Sequence, residues 1–147
     1  MRAVPPATPR QRIAAECASH GAAPLTAACV ALLEGRHADV SDDMIIILGG
    51  DAARYVLGGG EGGRAGHWPR VWGARGLLHQ WDPAAAAALV GATRDQAWRV
   101  REMAAKVIAR HQVGDALDAV AALRADPVER VRAAAGRAVK VLTAAGA

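Results

Sequence analysis

Trp72, Arg75 and His79 follow one another at spacings of three and four. In a helix that spacing sets all three on one face, and the sequence predicts a helix over residues 69–81. Val71, Ala74, Leu78 and Trp81 form an apolar stripe beside that face. The sequence thus places Trp72 outside the core, and a Trp exposed beside Arg and His has the residue chemistry of a binding hot spot. The alternative is that Trp72 packs under the neighbouring Gly-rich segment, with Arg75 satisfied by Asp82 or Glu61.

A second constellation is basic. Arg99, Lys106 and Arg110 share one helix face, Arg130 and Arg137 take equivalent places farther along, and Lys140 lies nearby. Parallel helices would set these side by side, with Arg70 extending the row. Such an array tracks phosphates, and Trp68 or Trp98 would add stacking. The competing reading is an ordinary solvated face, offset in part by Glu102 and Glu129.

Catalysis and metal binding find little to work with. Ser19 and Ser41 are the only serines, and neither sits in a nucleophile elbow. No paired carboxylates flank an evident pocket. His20, His37, His67, His79 and His111 are scattered, without an H-x-x-x-H pair or a cysteine at ligand spacing. His111 ends an apolar stripe, which suits a capping role near a helix C-terminus. Gly58-x-Gly60-x-x-Gly63 matches the dinucleotide fingerprint in form only, since no strand precedes it and no βαβ unit surrounds it. The expectation is a chain that is not an enzyme and takes no cofactor and no metal.

The elements that must position these residues are helices. Hydrophobic residues make up 52% of the 147, with no Phe and one Tyr. Ala, Val and Leu therefore supply the core, and small Ala side chains let helices approach closely. No alternating stretch of β-branched and aromatic residues argues for a sheet. A single all-α domain is expected, burying roughly two-thirds of its unfolded surface. Thr8-Pro9 reads as a cap followed by the first helical residue, and Gly21 as the end of that helix. Pro24 opens a second segment with Leu25, Cys29, Leu32 and Leu33 on one face. Ser41-Asp42-Asp43 marks another helix start, although Met44–Leu48 would also suit a buried strand. Asp51 caps a short helix through Leu57.

Six of the nine residues in 58–66 are Gly, which predicts a mobile loop. It divides irregular N-terminal helices (1–57) from a regular region (67–147). There, Arg70-Val71, Arg99-Val100 and Arg130-Val131 recur at offsets of 29 and 31. Each opens a helix with apolar residues at helical spacing, and partner helices follow Asp82 and Gly114. A period near 30 that holds two helices is the signature of an α-solenoid.

Asp95-x5-Arg101 and Asp126-x5-Arg132, each with Val before the Arg and an Ala-rich helix after it, resemble the HEAT-like helical repeat family. The resemblance covers residues 94–143 well, 68–92 in part and 9–57 loosely. It implies a short, right-handed solenoid of stacked antiparallel helix pairs. It also implies that Asp95, Arg101, Asp126 and Arg132 form a structural polar ladder between neighbouring repeats. In the first copy, Gly66 and Trp72 stand where the Asp and Arg are expected. By analogy with such folds, the leading functional expectation is a non-catalytic scaffold that binds a protein or peptide through its concave face. A nucleic-acid-binding module is the alternative, and a glycosylase resembling the DNA-alkylation-repeat family is a third.

Charge is uneven: residues 1–66 carry 6 basic and 7 acidic side chains, and residues 67–147 carry 12 and 7. The basic half favours an anionic partner, tempered by 16 of the 18 basic residues being Arg. Cys17 and Cys29, the only cysteines, read as reduced thiols of a cytoplasmic protein. Met1 to Pro6 bring no apolar run of a secretory signal, and Ala84–Val90 is too short to span a bilayer. No membrane partner is expected, and pairing of Ala-rich end repeats leaves a homodimer open.

Overall fold

The computed structural model describes residues 3–146. Met1 and Arg2, part of the N-terminal reading above, lie outside them. The described chain is helical, with no strand. Its helices are α1 (Pro9–His20), α2 (Ala22–Leu33), α3 (Asp42–Gly49), α4 (Asp51–Leu57), α5 (His67–His79), α6 (Ala86–Ala92), α7 (Trp98–Arg110), α8 (Leu117–Ala122) and α9 (Glu129–Ala145). None of them is long and apolar enough to cross a membrane.

The boundaries follow local chemistry. Thr8 and Gln11 form a reciprocal capping box at α1, with Pro9 at its first position and Gly21 closing it. Ser41 Oγ accepts the Met44 N–H at 3.1 Å, and Asp42 and Asp43 complement the first turn of α3. The Met44–Leu48 run is therefore helical, with Ile45 and Leu48 buried. Cap and packing override its β-branched propensity.

The Gly-rich stretch is not a free loop. Residues Gly60–Ala65 wind into tight turns with positive φ at Glu61, Gly62 and Gly63, conformations that glycine adopts without strain. Arg64 ties this segment down, donating to the carbonyls of His37 (2.7 Å) and Val40 and pairing with Asp42.

Helix α5 sits at the centre, against α2 and α3 on one side and α7 on the other, and α9 packs on α7. Helices α6 and α8 flank α7 and α9. Close approach of α2 to α5 depends on two glycines. A Cβ on Gly76 would lie 2.6 Å from Cys29 Sγ, and one on Gly73 3.0 Å from the Cys29 carbonyl oxygen. Both cysteines are free, and burial pushes the Cys29 thiol up to about 12.

Candidate functional site

The turns before α7 and α9 set the register of everything else. Asp95 Oδ1 accepts the Ala97 N–H and Asp126 Oδ1 the Val128 N–H, both at 2.9 Å. Each carboxylate also receives the two-pronged fork of an arginine from the preceding helix. Arg70 donates through Nε (2.7 Å) and Nη2 (3.1 Å) to Asp95, and Arg101 through Nε (2.8 Å) and Nη2 (3.2 Å) to Asp126. The fork geometry explains why arginine occupies both positions. Arg101 and Arg132 further bond their own turns, at the carbonyls of Asp95 and Asp126, each at 2.8 Å. At Asp126, burial raises the carboxyl pKa, but hydrogen bonds from Arg101 and Val128 and the charges of Arg101 and Arg132 outweigh it. The net result is a pKa below the ordinary value.

Hydrogen bonds thus link Asp95 with Arg101, and Asp126 with Arg101 and Arg132, and Arg70 joins them through Asp95. This corrects two expectations. Arg70, and not the residue at position 72, makes the fork that matches that of Arg101, so the matching arginines, like their aspartates, stand 31 residues apart rather than 29. And Arg70 does not extend the basic row, because its guanidinium is engaged by Asp95.

In the 31-residue register, Trp68, Arg99 and Arg130 are equivalent, and so are Arg75, Lys106 and Arg137. The first set forms an interleaved stack. The Arg99 guanidinium lies 4.5 Å from the Trp98 ring centroid and 5.4 Å from that of Trp68, and Arg130 lies 5.3 Å from Trp98. Trp68 stacks in turn on Trp72. A guanidinium over an indole face still offers N–H groups to a phosphate or carboxylate, with the Nε–H of Arg130 taken by Glu102. Buried Glu102 anchors the row from below, accepting from Arg130 Nε at 2.9 Å and pairing with Lys106 at 3.8 Å. Arg99, Arg110, Arg130, Arg137 and Lys140 are exposed and Lys106 is half-buried.

The Trp72 stripe does not survive as a hot spot. Trp72 is 3% exposed and lies against Gly49 of α3, where a Cβ would come within 2.6 Å of the indole. Helix α5 is buried on two sides, so its apolar surface is wider than a single stripe. Arg75 is satisfied by neither Asp82 nor Glu61. It donates to the Leu48 carbonyl at 2.8 Å, at the C-terminal end of α3. Burial, and then the neighbouring Arg12, lower its pKa. Only His79 of the three is exposed. It lines a cleft of about 300 Å³ with Arg10, Leu78 and Arg110. Burial first, then Arg75, Arg10 and Arg110, hold its imidazole below the usual range. His67 is likewise lowered, by burial and then by Arg99 and Arg70.

No protein-family model, curated protein or solved structure matches the chain. The site must speak through its own geometry. His111 bonds the Leu77 carbonyl through Nε2 at 2.7 Å and stacks on Trp81 at 4.6 Å, a bracing role between the ends of α5 and α7. Among the described residues no group of His, Cys, Asp or Glu is placed to hold a metal ion. Two residues escaped the sequence reading, Arg10 and Arg12 of α1. Their signal was only an Arg-x-Arg pair at a helix start, and the helix that brings them beside α5 carries no repeat pattern.

Proposed function

We propose that the chain is a non-catalytic binding scaffold, a short HEAT-like solenoid whose α5–α7–α9 face receives the phosphate backbone of nucleic acid. The single observation that carries this reading is the Trp68–Arg99–Trp98–Arg130 stack, continued along the helices by Lys106, Arg110, Arg137 and Lys140. Neighbouring helices pack roughly 8–10 Å apart, so three of them present cations across about 20 Å. The 31-residue register and the shared Arg–Asp fork support the solenoid reading.

The same face argues against a protein partner as the first choice. Protein interfaces concentrate apolar and aromatic surface at their centre and leave charge to the rim. Here the centre is charged and the tryptophans are covered by guanidinium groups. The large hydrophobic side chains exposed among the described residues, Val4 and Tyr55, lie elsewhere. Burial of Trp72 removes the anchor on which a hot-spot interface would have rested.

Trp68 and Trp98 lie under the cations, so their fluorescence reports occupancy. Titration with short duplex DNA at several salt concentrations should give a log affinity that falls linearly with log salt. The slope should be about −0.9 for each phosphate neutralised, hence roughly −3 to −5 for four or five contacts. Binding of an acidic peptide with no response to DNA would turn the reading to a protein partner. No response to either would reduce the row to a solvated face.

A further inference from the structure

On the opposite side of α5, Arg12 and Arg75 converge on the C-terminal end of α3. Arg12 donates to the carbonyls of Ile47 (2.8 Å) and Ala7 (2.7 Å), and Arg75 to that of Leu48 (2.8 Å). Among the described residues every hydrogen bond these two guanidiniums make goes to a carbonyl oxygen, and no carboxylate there meets either charge. The contrast with Arg70 and Arg101, each forked onto an aspartate, is direct. Arg75 Nε is buried and has no hydrogen-bond partner among the described residues. A buried, unpartnered donor on a charged group is costly, and two like charges in contact add to the cost.

These groups border a cleft of about 480 Å³, within the size range of small-molecule sites. Arg54 of α4 lines it as a third guanidinium, Asp51 is its one carboxylate, and Pro6, Pro9 and Ile46 are among its apolar lining. The Arg54 side chain is exposed and makes no hydrogen bond among the described residues, so it is free to turn inward. Gly50 belongs to the same construction, since a Cβ there would come within 2.9 Å of the Arg12 guanidinium carbon.

We infer that this cleft is a binding site for a small phosphate-bearing ligand, with Arg12 and Arg75 as its fixed floor and Arg54 as its closing arm. Three guanidiniums against one carboxylate leave an excess of positive charge that suits a phosphate dianion better than a monoanionic carboxylate. The floor is pre-organised, because both fixed arginines are oriented by carbonyls before any ligand arrives. That lowers the ordering cost of binding. The site is independent of the α5–α7–α9 face, from which it differs in residues and in the size of ligand it admits.

The test is thermal unfolding of the full chain with inorganic phosphate, and with acetate or chloride at matched ionic strength. Above its Kd, phosphate should raise Tm with the logarithm of its concentration, by roughly 5–10 °C at a hundredfold excess, and acetate or chloride by much less. Arg54→Glu should abolish the rise, while Arg99→Glu with Arg130→Glu should leave it intact. The Arg75 Nε–H resonance should shift along the same titration in the wild type, a readout that does not depend on variant stability. The inference is overturned by absence of a phosphate effect or by an equal effect of acetate. It is equally overturned if the effect survives Arg54→Glu or disappears in the Arg99 and Arg130 variant.

Discussion

The two halves of the molecule put the same side chain to different main uses. In the region of α5, α7 and α9, arginines are matched to aspartates that recur at the same interval, Arg70 with Asp95 and Arg101 with Asp126. Around α1 to α4, arginines reach further to backbone carbonyls: Arg12 to those of Ile47 and Ala7 alone, and Arg64 to those of His37 and Val40 besides its pairing with Asp42. The first device repeats because both partners are side chains that a repeated sequence can copy. The second binds irregular helix ends together wherever a carbonyl is left over, because the last turn of a helix lacks internal partners for its C=O groups. The regular half is thereby built as a copied surface, and the irregular half as a sewn one.

The largest effect that sharpens this contrast should come from Asp126→Ala. It removes a carboxylate that holds the turn before α9 and leaves the Arg101 fork without its acceptor in a pair only 5% and 14% exposed. Breaking such a pair costs about 3–5 kcal/mol, read from the urea midpoint. Arg12→Ala should cost less, about 1–3 kcal/mol, because the carbonyls it leaves are neutral. Equal costs for the two would break the comparison.

Glycine substitutions should next separate, by sign, the tight α2–α5 contact from the open face of α9. Gly76→Ala forces a methyl group against Cys29 Sγ and Leu48 Cδ2, and overpacking of this kind costs about 1–3 kcal/mol. Gly136→Ala, in α9, meets no atom within 4 Å and should stabilise by up to about 1 kcal/mol. Differential scanning calorimetry would show Tm falling for the first and rising for the second.

The smallest expected effect is in pH dependence, and it divides into two limbs. His67 and His79 titrate below the ordinary histidine range in the folded chain, so the unfolded chain takes up protons first. Stability should begin to fall as pH drops below about 6.5 and go on falling until the folded-state values are passed. Asp126 is held below the ordinary carboxylate value. Its contribution is present above about pH 3.9 and is lost as pH falls through the lower folded value. His67→Asn with His79→Asn should flatten the upper limb only. A urea midpoint unchanged between pH 7 and 5 in the wild type would contradict the assignment.

This contrast also explains what the sequence made legible. Asp95, Arg101, Asp126 and Arg132 could be read because side-chain partners at a fixed interval leave a pattern. The offset of the first copy was misread because Arg70-Val71 imitates Arg99-Val100, while the bond-forming equivalence is Arg70 with Arg101. Trp72 was misplaced because a stripe analysis assumes one buried face, and α5 has two. The roles of Arg12, Arg64 and Arg75 could not be read at all, since a backbone carbonyl is the same acceptor under every side chain. The all-helical class, the caps at Thr8 and Ser41 and the end at Gly21 were legible because they rest on bonds between residues three or four apart.

The copied surface is the centre of the account, and the salt dependence of duplex DNA binding tests it most directly. Log affinity against log salt should be compared for the wild type, for Arg137→Gln, and for Arg99→Gln with Arg137→Gln. Each phosphate-contacting cation removed should make the slope shallower by about 1, so the three lines should fan out in equal steps. Parallel lines, or no binding at low salt by the wild type, would contradict the claim that this face is a phosphate-binding surface.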